Sequence, residues 1–151
     1  MPLHAEKKQG SLSIVGLGPG KREYMTARAL RAVAAADYVL GHVKYLEPLE
    51  PLLAGKNVIS SSMGKEVDRA KQAIELAHSH AVAIVSGGDA GVYGMASIVL
   101  EVLEHSKEVI DVEIIPGITA ANAAASRAGS PLSGDFAVIS LSDLLTPLEV
   151  I

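Results

Sequence analysis

The stretch IVGLGPGKREY, Ile14 to Tyr24, sets two apolar residues and a leucine among Gly16, Gly18, Pro19 and Gly20, with charged residues behind them. Apolar residues running into a glycine turn, then a helix-forming segment, mark the end of a buried strand. The surrounding chain repeats that pattern. SLSIVGL, DYVLG, KNVISS, AVAIVSG and VEIIPG are read as strands. MTARALRAVAAAD (capped by Thr26), GKEVDRAKQAIELAHSH, VYGMASIVLEVLEHS and TAANAAASRAG are read as helices between or after them. DFAVISLS is read as a last strand. Alternation of this kind predicts an α/β fold with a mainly parallel sheet and helices on both faces. Strands without apolar–polar alternation fit a sheet buried on both sides.

In such sheets ligands gather at the carboxyl ends of the strands. Those ends here read GLGPG, GH, SGGDAGVYG and PGITA, three of them rich in Gly or Pro. The first loop is no standard phosphate cradle. A dinucleotide fingerprint needs glycine at position 21, which is Lys21, and a P-loop needs glycine at 15 and Ser or Thr at 22, which are Val15 and Arg22. Pro19 also removes one amide donor. The loop suits close approach of a flat or uncharged group, or is a plain turn. In the second loop Asp89 stands among Gly87, Gly88, Gly91 and Gly94, either to accept from a ligand or to cap the next helix. In the third, Thr119 is a helix cap followed by small side chains.

Composition narrows the chemistry. With no cysteine among 151 residues, disulfides, zinc–thiolate sites and thiol nucleophiles are excluded. A net charge of −4 argues against a nucleic-acid surface. MPLHAEKKQG lacks a signal-peptide core, and the apolar runs are too short for a membrane span, so a cytoplasmic protein without a membrane partner is expected. His78, His80 and His105 lie in polar helical segments and are read as surface residues, and no metal site is expected. Residues 1–11 are expected to be a flexible segment, 12–142 the α/β domain, and 143–151, with Pro147 at a helix start, a linker into a second domain of a larger protein.

VGLGPGKREYMT, AADYVLG, MGK, VSGGDAGVYG and IIPGITAANAAASRAGSPL, in that order, resemble the tetrapyrrole (corrin/porphyrin) methylase family over nearly the whole chain from Leu12. LGHVKYLEPL and VISLSDLLTPLEVI resemble its C-17 methyltransferase branch, which acts on precorrin-3B or cobalt-factor III. The resemblance implies the amino-terminal domain of a two-domain, homodimeric enzyme of cobalamin biosynthesis. It implies S-adenosylmethionine as cofactor and methyl donor, and a tetrapyrrole substrate whose ring contracts after methylation. S-adenosylmethionine carries no phosphate, in keeping with the glycine loop. By motif position, the resemblance implies that Pro19 borders the cofactor cleft, that Gly87, Gly88 and Asp89 form the loop over the cofactor's methionine part with Val92 packed beside it, and that Thr119 and Ala120 contact the cofactor from a helix start.

Two departures stand out. Many members read Gly-Asp-Pro where this chain has Gly88-Asp89-Ala90. Sirohaem-forming members carry an aspartate, the proposed proton acceptor, where this chain has His42, while Lys65 matches their proposed proton donor. Imidazole titrates near neutral pH, so His42 is the candidate base and Lys65 the candidate acid. Lys21, Arg22 and Lys44 also stand near strand ends, where cations would hold a polycarboxylate. Other readings are a related methylase (another precorrin position, diphthine or ribosomal-RNA ribose) and a fragment that binds without catalysing.

Overall fold

The structure is a computed structural model that describes residues 10–140. Five strands, β1 (Ser11–Gly16), β2 (Tyr38–His42), β3 (Asn57–Ser61), β4 (Ala81–Ser86) and β5 (Asp111–Ile115), form one parallel sheet in the order β3-β2-β4-β1-β5. The α/β reading of the sequence is therefore correct. The helices are α1 (Ala27–Ala35), two short ones, α2 (Val43–Leu46) and α3 (Glu50–Leu53), then α4 (Glu66–Ala77), α5 (Met95–Ser106) and α6 (Ala120–Ala128).

The period-two geometry of the strands sorts their side chains into two cores. Leu12, Ile14, Leu40, Val82 and Ile84 face α4 and α5, where Ala70, Ala73, Ile74, Met95 and Val99 are buried against them. Val15, Val39, Ala83, Val85 and Ile115 face the opposite side and pack on Ala29 and Val33 of α1 and on Leu46 and Leu49. Only the central strands are apolar on both faces. β3 and β5 lie at the edges, and Glu113 and Ile114 of β5 are exposed. On this exposed side Arg28 of α1 donates two hydrogen bonds to Glu113, the Nε one at 3.1 Å. The guanidinium holds the Glu113 carboxyl below the usual carboxylate range, chiefly through that hydrogen bonding, against a smaller opposing effect of desolvation and with a still smaller contribution from its charge.

Thr26 caps α1 as expected, its hydroxyl accepting from the Ala29 N–H at 3.1 Å. Three features differ from expectation. The segment between β2 and β3, left unassigned by periodicity, forms α2, a 3-10 turn and α3, with Pro48 and Pro51 in their first turns. Asp135–Ser140 is not a strand: it pairs with none of the five, and Phe136, Val138 and Ile139 are exposed. Strand propensity there has no ladder partner among the described residues. The strand starts at Ser11, inside the segment read as flexible. The remaining expectations for residues 1–9 and 141–151, Pro147 included, lie outside the described residues.

Candidate functional site

The strand order contains a switch point. From β1 the chain crosses over β4 to reach β2, whereas from β4 it crosses over β1 to reach β5. β1 and β4 are neighbours whose following connections leave in opposite directions, and ligands in open α/β sheets bind in the crevice such a reversal opens. The loops leaving these strands are GLGPG and SGGDAGVYG.

The loops are joined to each other. The Gly18 N–H donates to the Gly88 carbonyl at 2.9 Å, and the Gly88 N–H donates back to the Gly18 carbonyl at 2.8 Å. Both residues are in the left-handed region, with φ of 78° and 64°, which glycine adopts without a Cβ penalty. The bridge consumes the Gly18 amide, and Pro19 has none, so the first loop cannot present a nest of donors to a phosphate.

A third loop closes on these two. Gly117, after β5, lies so near that a Cβ on it would fall 2.2 Å from the Gly88 carbonyl oxygen, and a Cβ on Gly16 would fall 2.7 Å from the Ala90 nitrogen. Asp89 completes the junction. Its Oδ1 accepts from the Gly91 N–H at 2.8 Å, and its Oδ2 accepts from the Gly117 N–H at 2.9 Å. The proposed capping role is not what the carboxylate does: Gly94 stands at the α5 N-cap without any side-chain cap, and Asp89 instead ties the β4 loop to the β5 loop. Thr119 does cap α6, accepting from the Asn122 N–H at 3.1 Å and donating to Asn122 Oδ1 at 2.6 Å.

Above this junction opens a cavity of about 650 Å³, a size typical of small-molecule sites. Pro19, Gly87, Gly88, Asp89, Val92, Thr119 and Ala120 all line it. Of the other wall, sequence reading named Lys44 but not Met25 or Tyr45. Met25, Lys44 and Tyr45 also line the cavity, and the Tyr45 ring lies against Gly87, where a Cβ would fall 2.6 Å from its Cε1. Tyr45 belongs to α2, a helix too short to register as a periodic pattern. Phe136 and Val138 reach the rim, where the Tyr93 hydroxyl donates to the Val138 carbonyl at 3.1 Å. Tyr93 holds a left-handed φ of 52°, uncommon outside glycine.

His42 and Lys65 do not line this cavity. They stand at the same edge, at and after the ends of the paired strands β2 and β3, where His42 is in register with Ser61. His42 caps α2: its Nδ1 accepts from the Lys44 N–H at 3.1 Å, and its ring meets Tyr45 edge-on at 5.8 Å. Accepting at Nδ1 places the proton of the neutral ring on Nε2. Lys65, largely exposed, lies 3.4 Å from Asp68. Of the other cations, Lys21 lies 3.8 Å from Glu23, and Lys44 alone reaches the cavity wall.

A larger cavity of about 800 Å³ lies between α4 and α5, away from the strand ends, and none of the predicted site residues lines it. His78 and His105 line it, His78 within 2.6 Å of Glu108. His80 differs from the surface reading: it is half-buried and packs edge-on against Tyr38 at 4.9 Å.

Known proteins share this fold. Residues 11–151 match the family described as Tetrapyrrole (Corrin/Porphyrin) Methylases. The chain is 48% identical over 141 residues to a probable cobalt-factor III C(17)-methyltransferase of Salmonella typhimurium, covering 93% of this chain and 58% of that protein. It is 50% identical over 143 residues to the cobalamin biosynthesis protein CbiHC of Archaeoglobus fulgidus, covering 95% of this chain and 32% of that one. The chain thus spans less than two thirds of these relatives. Among solved structures, the methyltransferase CobJ superposes with a TM-score of 0.86 at 39% identity, over 94% of this chain and 60% of CobJ. Uroporphyrin-III-C-methyltransferase from Thermus thermophilus superposes at 0.67 with 29% identity, over 83% and 55%. The chain belongs to the tetrapyrrole (corrin/porphyrin) methylase family.

Proposed function

We propose that the protein is an S-adenosylmethionine-dependent C-methyltransferase of cobalamin biosynthesis that methylates C-17 of cobalt-factor III or precorrin-3B. The observation that carries this reading is the cavity at the β1–β4 switch point, built from tightly joined backbone and free of a phosphate cradle. The names of the relatives give the substrate class.

The cavity fits a folded, phosphate-free cofactor. Pro19, Gly87 and Gly88 offer backbone at close range, Val92 and Ala120 offer apolar surface, and Asp89 lies at the junction below. Bound there, S-adenosylmethionine supplies an electrophilic methyl group on a sulfonium. Tyr45 and Met25 exclude water from one wall, and Thr119 fixes the start of α6 against the other. The enzyme's task is then to hold donor and acceptor carbon in line, which supplies much of the rate. Lys44 and Lys65 hold the substrate's carboxylates at the strand ends, with Lys65 serving also as proton donor. His42 takes a proton at Nε2 after its ring has shifted to the other tautomer, which releases the Lys44 cap.

This reading makes the α/β fold that begins with β1 at Ser11 the first domain of a two-domain, cytoplasmic homodimer. Among the described residues no helix is long and apolar enough to cross a membrane. The test is to incubate the full chain with S-adenosylmethionine carrying a carbon-13 methyl group and with cobalt-factor III, and to locate the label by NMR. Label on C-17 is expected; no transfer, or label at another carbon, contradicts the reading.

A further inference from the structure

Arg69 of α4 is 5% exposed, yet among the described residues no carboxylate pairs with it. Burying a guanidinium without a counter-ion is costly, and an apolar side chain would fill the same place more cheaply. Its donors show what it does instead. Nε donates to Ser61 Oγ at 2.7 Å, one terminal nitrogen donates to the Ser62 carbonyl at 3.1 Å, and the other approaches Met95 Sδ at 3.6 Å.

These partners belong to two separate segments. Ser61 and Ser62 are the end of β3 and the start of the loop that delivers Lys65. Met95 is the first residue of α5, directly behind the glycine loop of the cavity. The other end of the Lys65 loop enters α4 itself, where the Arg69 N–H donates to the Lys65 carbonyl at 2.9 Å as the first-turn bond of the helix, whatever the side chain. The Arg69 side chain therefore ties the start of the Ser61–Lys65 loop to the helix that its other end begins, across a turn through Gly64 at a φ of 77°. It also sets that loop against the start of α5, the helix that follows the Gly87–Gly94 loop of the cavity.

We propose that Arg69 is a positioning residue for methyl transfer, which sets Lys65 in place relative to the Gly87–Gly94 loop. The proposal rests on the functional reading above and on Lys65 acting in it. Guanidinium suits the task because its planar fork reaches acceptors in several directions at once, which a lysine ammonium or an apolar residue does not.

The test is a double-mutant cycle in the full chain, with kcat and KM measured for S-adenosylmethionine and cobalt-factor III. Arg69→Met is expected to lower kcat by about ten- to a hundredfold, the size of a misplacement of roughly 1 Å. KM for S-adenosylmethionine is expected to stay within about twofold, because binding and chemistry are separable in such measurements. In the Lys65→Met background the same substitution is expected to cost little more, since both act through one group. Ser61→Ala, which removes one acceptor and keeps the guanidinium, guards against misfolding; its smaller loss is also expected to vanish in the Lys65→Met background. An active wild type with independent, multiplying losses overturns the proposal, as does a fully active Lys65→Met or Arg69→Met. A wild type that transfers no methyl group contradicts the functional reading and, with it, this one.

Discussion

Asp89 Oδ2 accepts a hydrogen bond from the Gly117 N–H at 2.9 Å, and this contact joins the loop after β4 to the loop after β5. The other oxygen holds the Gly91 N–H, so both carboxylate oxygens serve the backbone of the loops that meet beside the cavity. Asp89→Ala removes two charge-assisted bonds and is expected to cost about 2 kcal/mol of stability. Asp89→Asn is expected to recover only part of this, because its amide NH₂ would meet the Gly117 N–H. Denaturant unfolding of the full chain measures both variants.

The close glycines are expected to differ in tolerance. Gly117→Ala places a Cβ 2.2 Å from the Gly88 carbonyl, against backbone that cannot yield without parting the loops. Its expected cost is roughly 3 kcal/mol, at the upper end for overpacking. Gly88→Ala meets nothing within 4 Å and pays only for its φ of 64°, about 1 kcal/mol. Equal destabilisation of the two would contradict the packed junction.

His42 offers a division of roles. His42→Asn keeps a cap for α2 and removes the imidazole. If the imidazole is the base, the acid limb of the pH–kcat profile disappears in His42→Asn while thermal stability stays close to wild type. A profile unchanged in shape would remove His42 from the chemistry.

The Arg28–Glu113 pair gives a stability effect away from the site. Glu113 titrates below its ordinary value in the fold, so the pair contributes fully at pH above the usual glutamate range. That contribution is lost as pH falls through the lowered value, where the carboxyl takes up a proton. Arg28 stays protonated throughout. Glu113→Gln is therefore expected to lower the melting temperature slightly at pH 7 and to match wild type in strong acid; both side chains are exposed, so the effect is small.

Long apolar runs made the central strands legible, because a strand buried on both faces has no other composition available. β4 is such a run, and Thr26 and Thr119 were legible as caps because a hydroxyl before an apolar helix has few other uses. The edge strands were found, but their exposure was not foreseen, since burial of β5 depends on what covers it. α2 and α3 stayed hidden because four residues carry no period, and with them went Tyr45. The Asp89–Gly117 tie spans 28 positions, and no local pattern encodes it. Residues 135–140 have strand composition but no partner strand among the described residues, so local preference misled.

The central claim is that the cavity at the β1–β4 switch point holds S-adenosylmethionine. Calorimetric titration of S-adenosylhomocysteine into the full chain and its Gly87→Val variant tests it most directly, because a side chain at Gly87 meets the Tyr45 ring across the cavity wall. Binding to wild type, weakened at least about tenfold in Gly87→Val, or 1.4 kcal/mol, is the expected result. No binding to wild type, or equal affinity in both, would contradict the claim.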